Sequence, residues 1–139
     1  MSRVSVYRVT VEFGDCDPAQ IVYFPNFFRW IDAASRYFFT DCGVPQWRET
    51  AQTLGVIGTP LVDVHARFIK TASYGDRLAL HTSVSEWRRS SFVMQHHVML
   101  GTDLLMEATE TRVFAARAEG DAPGIRAVPI PGEIRMLCE

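Results

Sequence analysis

Little in this 139-residue chain departs from ordinary globular chemistry, and each thing it lacks narrows what it can be. It has three cysteines, Cys16, Cys42 and Cys138, an odd number with no metal-ligand spacing, which argues against a disulfide framework or a thiolate metal centre. No apolar run approaches the roughly 18 residues of a membrane span. The first residues, MSRVSVYRVTVEF, alternate in polarity where a signal peptide would carry an unbroken apolar core. The charge is nearly balanced, 14 basic against 16 acidic residues, so there is no electrostatic footprint for nucleic acid. A local pair of arginines can still hold a phosphate on such a protein. The G-x-S-x-G elbow, the P-loop and the dinucleotide fingerprint are all missing. These absences leave a soluble cytoplasmic protein with no membrane or nucleic-acid partner as the expectation.

What is present suffices for a core. Apolar residues make up 47% of the chain, and a chain this long buries roughly two-thirds of its unfolded surface without staples. No repeat or linker divides it, so residues 1–139 are expected to form one domain. Tyr7, Val9, Val11 and Phe13 alternate with Arg8, Thr10 and Glu12, the period of a strand. GDCDPAQIVYFP then breaks the pattern as a loop. Over residues 26–42 the period becomes helical, with Phe27, Trp30, Ile31, Ala34 and Phe38 at i, i+3, i+4 intervals and Gly43 and Pro45 closing the segment. This region and its approach hold half of the chain's sixteen aromatic side chains, which predicts a helix buried on several sides. A short helix in PQWRETAQTLG follows. After Gly58 strand alternation runs to about residue 117, the last long strand from about Leu104 to Ala116, with short connections at SYGDR, EWRRSS and GTD that predict an antiparallel meander. The Pro-rich tail from Ala122 adds a short strand and a terminal helical turn. The fold class expected is α+β, a single antiparallel β-sheet wrapped around one long helix.

Three places could carry chemistry. Asp15-Cys16-Asp17-Pro18 sits between the first strand and the aromatic helix. Asp and Pro there suit a turn, but a carboxylate facing a cleft at a helix start is also a general base or nucleophile. If Pro25 opens the helix, Phe24 precedes it with no side-chain acceptor, leaving backbone amides for an external oxygen; Asn26 is the competing cap. Trp87-Arg88-Arg89-Ser90-Ser91 reads as a solvated turn or as two guanidiniums that clamp phosphates. Asp32 is a solvated position, a partner of Arg29 or Arg36, or a pocket acid. His96 and His97 are adjacent on a strand and point to opposite faces, so they do not share a metal. Cys16 has no histidine near it in sequence and suits a structural thiol.

Residues 13–39, FGDCDPAQIVYFPNFFRWIDAASRYFF, resemble the hot-dog-fold thioesterases of the 4-hydroxybenzoyl-CoA thioesterase family, and GVPQWRET, VIGTPLV, TASYGDRL and EWRRSSFV continue the likeness. The resemblance implies a hot-dog domain, a sheet around a central helix, assembled as a dimer or a homotetramer built from dimers, with acyl-CoA as substrate. It implies that Asp17 is the catalytic carboxylate and that the Phe24 N–H polarises the thioester carbonyl. Trp47, Thr59, Pro60 and Leu61 fall where the substrate is contacted, and Arg88, Arg89 and Ser90 where the coenzyme A phosphates lie. Asp32 joins the substrate-binding set. Two positions depart from the family pattern: Gln20 stands in place of a glycine, and Ser90 in place of a basic residue. The reaction implied is hydrolysis of an aryl-CoA thioester, with no metal or redox cofactor and coenzyme A only as part of the substrate. The acyl pocket is expected among Phe24, Phe28, Trp47 and Thr59. An aliphatic acyl-CoA thioesterase, a non-catalytic acyl-CoA-binding protein and a hot-dog dehydratase remain as rivals, the last disfavoured because residues 13–60 contain no histidine.

Overall fold

In the computed structural model, which describes residues 3–119 and 124–139, the aromatic segment is a 17-residue helix, α1, Pro25–Asp41. Pro25 occupies the first helical position, where a missing N–H costs nothing. Gly43, at φ +90°, ends it in the left-handed conformation that a side chain would resist. The helix buries one broad stripe, Phe27, Trp30, Ile31, Ala34, Ser35, Phe38 and Phe39. Arg29, Asp32, Arg36 and Thr40 face outward, so burial is on one side and not all round, because charged residues recur every three or four positions.

Five strands form the sheet against that stripe: β1 Val4–Thr10, β2 Leu61–Phe68, β3 Arg77–Trp87, β4 Ser91–Leu100 and β5 Asp103–Val113. Their order is β1-β3-β4-β5-β2, and every neighbouring pair is antiparallel. The expected meander holds for β3, β4 and β5 but not for β2, which pairs with β5 at the far edge. The chain between β2 and β3 is therefore a crossover and not a hairpin. It is tied to the loop before α1, where the Val22 N–H donates to the Ala72 carbonyl at 2.9 Å. Phe13 leaves the first strand for a 3-10 turn, Phe13–Asp15, and is exposed. The last long strand breaks at Phe114 into β5 and β6 Ala115–Arg117, the latter paired with β7 Ile125–Ala127. Helix α2 spans Trp47–Thr53 and α3 spans Gly132–Cys138; the start of the tail, Ala122 and Pro123, lies outside the described residues.

The core falls into two apolar halves along α1. Phe27, Trp30, Ile31 and Ala34 pack with Leu78, Leu80, Val98 and Met106. Phe38 and Phe39 pack with Phe92, Met94, Phe114 and Ile134. At the level between these halves the inward rows of the strands switch to polar side chains: Thr82 on β3, His96 on β4 and Glu110 on β5, facing Ser35 of the helix.

Candidate active site

The loop from the 3-10 turn to α1 separates the two acids that flank Cys16. Asp15 is fully engaged. Its Oδ2 accepts the Glu12 N–H at 2.8 Å, its Oδ1 accepts Arg29 at 2.9 Å, and its carbonyl accepts Asn26 Nδ2 and the Tyr23 N–H. Asp17 is held at its backbone, N–H to the Ile21 carbonyl at 2.9 Å and carbonyl from the Gln20 N–H at 2.8 Å. Its Oδ1 accepts the Ala19 N–H at 2.8 Å, a local turn that orients the carboxylate. Its Oδ2 has no partner among the described residues. The turn forces Gln20 to φ +66°, and the Ser73 hydroxyl fixes the Gln20 carbonyl at 2.6 Å.

At the start of α1, Phe24 is the cap, with helical backbone angles and no side-chain capping bond. Asn26 does not cap the helix, since its amide is turned back to Asp15. The Asn26 and Phe27 N–H groups bond back to the Tyr23 and Phe24 carbonyls, and the Phe24 N–H has no acceptor among the described residues. An unpaired amide at the positive end of a 17-residue helix favours an incoming oxygen that is gaining negative charge.

A second group lines a cleft of about 570 Å³ beside the middle of α1. Asp32, Arg36, Trp47, Thr59, Pro60 and Arg112 contribute to its walls. Asp32 pairs with neither Arg29 nor Arg36, because Arg112 reaches it first: Nη2 to Oδ1 is 2.8 Å. Arg112 also donates from Nη1 to the Thr59 carbonyl at 2.9 Å, and from Nε and Nη2 to Glu110 at 3.2 and 2.8 Å. Glu110 in turn meets His96 Nε2 at 2.6 Å and Ser35 Oγ, and His96 Nδ1 lies 2.8 Å from Thr82 Oγ1. Burial alone would push the Glu110 carboxyl up, but the bonds from His96 and Arg112 outweigh it and bring it down to about 2. Burial likewise opposes the Arg112 charge, and Glu110 and Asp32 more than offset it, so the guanidinium is held above its ordinary value.

The third group is the turn between β3 and β4. Arg88 is exposed and pairs with Glu86 at 2.9 Å; that hydrogen bond lowers the Glu86 carboxyl and raises the Arg88 guanidinium. The Arg89 side chain has no partner among the described residues, while its carbonyl takes the Ile130 N–H and that of Ser90 takes the Phe114 N–H. Leu61 opens β2 and is exposed at the sheet edge.

Within the chain, Asp32, Trp47, Thr59 and Pro60 thus share a cleft that Asp17, Phe24, Leu61, Arg88, Arg89 and Ser90 do not line. Nor does the single chain bring together the four residues expected around the acyl group, Phe24, Phe28, Trp47 and Thr59; the last two share this cleft and the first two do not. Phe24 and Phe28 stack edge-on against Phe68, whereas Trp47 stacks on Phe39 and Phe114, because β2 and α2 lie against different stretches of α1. Nothing in the sequence reading singles out Arg112 or Glu110, and it weighs His96 only as a metal ligand. Their signal was there: charged or polar residues on the inward beat of otherwise apolar rows, Met106-Ala108-Glu110-Arg112 and Phe92-Met94-His96-Val98. Among the described residues no three His, Cys, Asp or Glu side chains converge as a metal site.

Residues 11–136 match the thioesterase-like superfamily. The chain is 47% identical to the 4-hydroxybenzoyl-CoA thioesterase of Pseudomonas sp. (strain CBS-3), over 99% of both chains. It superposes at a TM-score of 0.90, with 46% identity and 99% of each chain covered, on a crystal structure of the D17N mutant of 4-hydroxybenzoyl-CoA thioesterase complexed with 4-hydroxybenzoyl-CoA. A gentisyl-coenzyme A thioesterase is 30% identical with a TM-score of 0.81, covering 94% of this chain and 99% of its own.

Proposed function

This chain belongs to the thioesterase-like superfamily and has its α+β hot-dog fold, and we propose that it hydrolyses an aryl-CoA thioester of the 4-hydroxybenzoyl-CoA kind to the free acid and coenzyme A. The observation that carries the reading is the pairing, across one short loop, of a carboxylate with an open oxygen, Asp17, and an unpaired amide at a helix start, Phe24. The thioester carbonyl oxygen accepts the Phe24 N–H, where the helix end stabilises the oxyanion. Asp17 attacks the carbonyl carbon; the C–S bond breaks, coenzyme A leaves as a thiolate that takes a proton from solvent, and water hydrolyses the acyl-aspartyl anhydride. Direct activation of water by Asp17 gives the same products, and a single turnover in ¹⁸O water separates the routes, since only the anhydride route can carry label into the protein.

Asp32, Trp47, Thr59 and Pro60 form the acyl-side cleft in this scheme, and Arg88, Arg89 and Ser90 hold the nucleotide phosphates. Because these groups are separate in one protomer, the complete site forms between two. Edge strand β2 supports that arrangement: Val62 is 61% exposed, Leu61, Phe68 and the following Ile69 are also exposed, and Phe24 beside Phe68 is 59% exposed. An uncovered apolar edge strand invites pairing with its own copy, giving a homodimer and, by association of dimers, a homotetramer. The single domain of residues 1–139 then needs no metal or redox cofactor. Cytoplasmic residence suits its three free thiols.

The test is Asp17→Asn against Asp15→Asn, with thiol release followed on 4-hydroxybenzoyl-, benzoyl- and hexanoyl-CoA. Asp17→Asn retains fold and ligand binding and loses turnover by about 100-fold or more, while Asp15→Asn loses little. Near-wild-type turnover in Asp17→Asn refutes the mechanism. A tenfold preference for hexanoyl-CoA moves the substrate to the aliphatic class and leaves Asp17 in place.

A further inference from the structure

We propose that Arg112 is a positioning residue for the acyl-side cleft, holding the Asp32 carboxylate and the Thr59 carbonyl in one fixed relation, and that Glu110, His96, Ser35 and Thr82 are the scaffold that holds Arg112. The inference rests on the thioesterase reading for its substrate and on the hydrogen bonds of Arg112 for its geometry.

An advantage in stability over an apolar layer does not account for this cluster. A buried ion pair recovers its desolvation cost only with excellent geometry, and apolar residues of similar volume commonly serve a core as well or better. Here the polar layer interrupts two apolar halves that pack well above and below it. What the layer achieves is orientation. Arg112 is 5% exposed, and four of the five N–H donors of its planar head are taken by Glu110, the Thr59 carbonyl and Asp32. Glu110 cannot turn away, being held from behind by His96 and Ser35, and His96 is fixed through its other nitrogen by Thr82. The chain therefore runs from a rigid interior to a side chain, Asp32, that is 71% exposed and would otherwise sample several rotamers. Arg112 takes its Oδ1, and Oδ2 has no partner among the described residues. An acceptor held this way discriminates for an acyl group carrying a polar hydrogen, such as a ring hydroxyl, because its orientation is settled before the ligand arrives. Lysine in place of Arg112 keeps the charge but has a single ammonium for three acceptors spread across a plane.

The experiment compares kcat/KM for 4-hydroxybenzoyl-CoA and benzoyl-CoA in the wild type, Arg112→Lys, Asp32→Asn and the double variant, each with its melting temperature. Arg112→Lys should lower the ratio of the two esters by about tenfold, with the loss for the hydroxylated ester in KM more than in kcat. In the Asp32→Asn background the same change should have little further effect on the ratio, since Arg112 acts through Asp32. A folded Arg112→Lys protein with the wild-type ratio, or additive losses in the double variant, overturns the proposal. If Arg112→Lys does not fold, the charge-neutral pair Arg112→Met with Glu110→Gln is read in its place, with the same ratio as criterion. Calorimetric dissociation constants for both esters give a second reading of that ratio. A wild type that turns over neither ester sinks the hydrolase reading, whereas one that shows no preference in either measurement sinks the role of Arg112.

Discussion

Replacing Glu110 by Gln removes the one buried anion that two other groups depend on. Its carboxyl is 1% exposed as a residue, and it titrates at about 2 instead of the ordinary 4.5. At about 1.4 kcal/mol per pH unit, that displacement is worth about 3 kcal/mol of stability at neutral pH. The sign follows from the direction: a lowered carboxyl stabilises the fold above pH 4.5, and the contribution fades as pH falls from there to about 2. Glu110→Gln leaves Arg112 with Asp32 as its one anionic partner and removes the acceptor charge facing His96, so the loss at pH 7 should reach about 3–5 kcal/mol. For a chain of this length that is a fall in Tm of about 10 °C or somewhat more. Urea unfolding of both proteins at pH 7, 5, 4 and 3 isolates the effect, because the other carboxylates are common to both and cancel in the difference. The gap should be full at pH 7 and narrow by about half at pH 3. A gap that is the same at pH 7 and pH 3, or a variant as stable as the wild type, refutes the electrostatic account of the layer.

Gln20→Gly should stabilise the protein by about 0.5–1 kcal/mol in urea unfolding, because Gln20 sits at φ +66°, where a side chain is strained; a loss of stability contradicts that. Replacing Arg88 and Arg89 together by Ala should raise KM severalfold for coenzyme A esters and leave pantetheine esters nearly unaffected, and equal effects on both would remove the arginines from the phosphate site. Light scattering at micromolar concentration should give a multiple of 15.7 kDa, and Val62→Lys on the β2 edge should shift it toward the monomer; a wild-type monomer refutes the shared site.

How much of this was legible in the sequence depended on whether the cause lay within a few residues or across the sheet. The α1 helix, its Pro25 start and its Gly43 end follow from local rules, and the structure agrees to within a residue. The same holds for the uncapped Phe24. Strand positions were equally legible, but the placement of β2 was not. Short connections favour hairpins, and nothing local signals that the chain after Phe68 crosses over to be pinned at Ala72 by the loop before α1. The distinction between Asp15 and Asp17 was likewise out of reach of composition. It rests on Arg29 lying one turn into the helix, close enough to occupy Asp15 and leave Asp17 with an open oxygen. Asp32 stands out in the sequence, yet its partner is eighty residues away on β5, and sequence neighbourhood offers only Arg29 and Arg36.

One helix serves two opposed demands, and its periodicity reconciles them. The stripe of Phe27, Ile31, Ala34 and Phe38 must be apolar to hold the sheet. The N-terminal amide must stay free of a cap and the middle of the outer face must carry a carboxylate, and neither adds to the apolar burial that holds the helix. Asp32 and Ser35 are three apart and lie on adjoining flanks of the same turn. Arg112 and Glu110, two apart on β5, therefore meet Asp32 and Ser35 respectively, and a single strand ties the exposed flank to the buried one. Two buried apolar halves of that helix supply most of the burial that stabilises it, which leaves its midpoint free to carry charge. Removing one large side chain from either half, Phe38→Ala for example, costs about 3–5 kcal/mol by itself. The polar layer is tolerable only while both halves are intact, so a core truncation and the Glu110→Gln change together should unfold the chain where either alone leaves it folded.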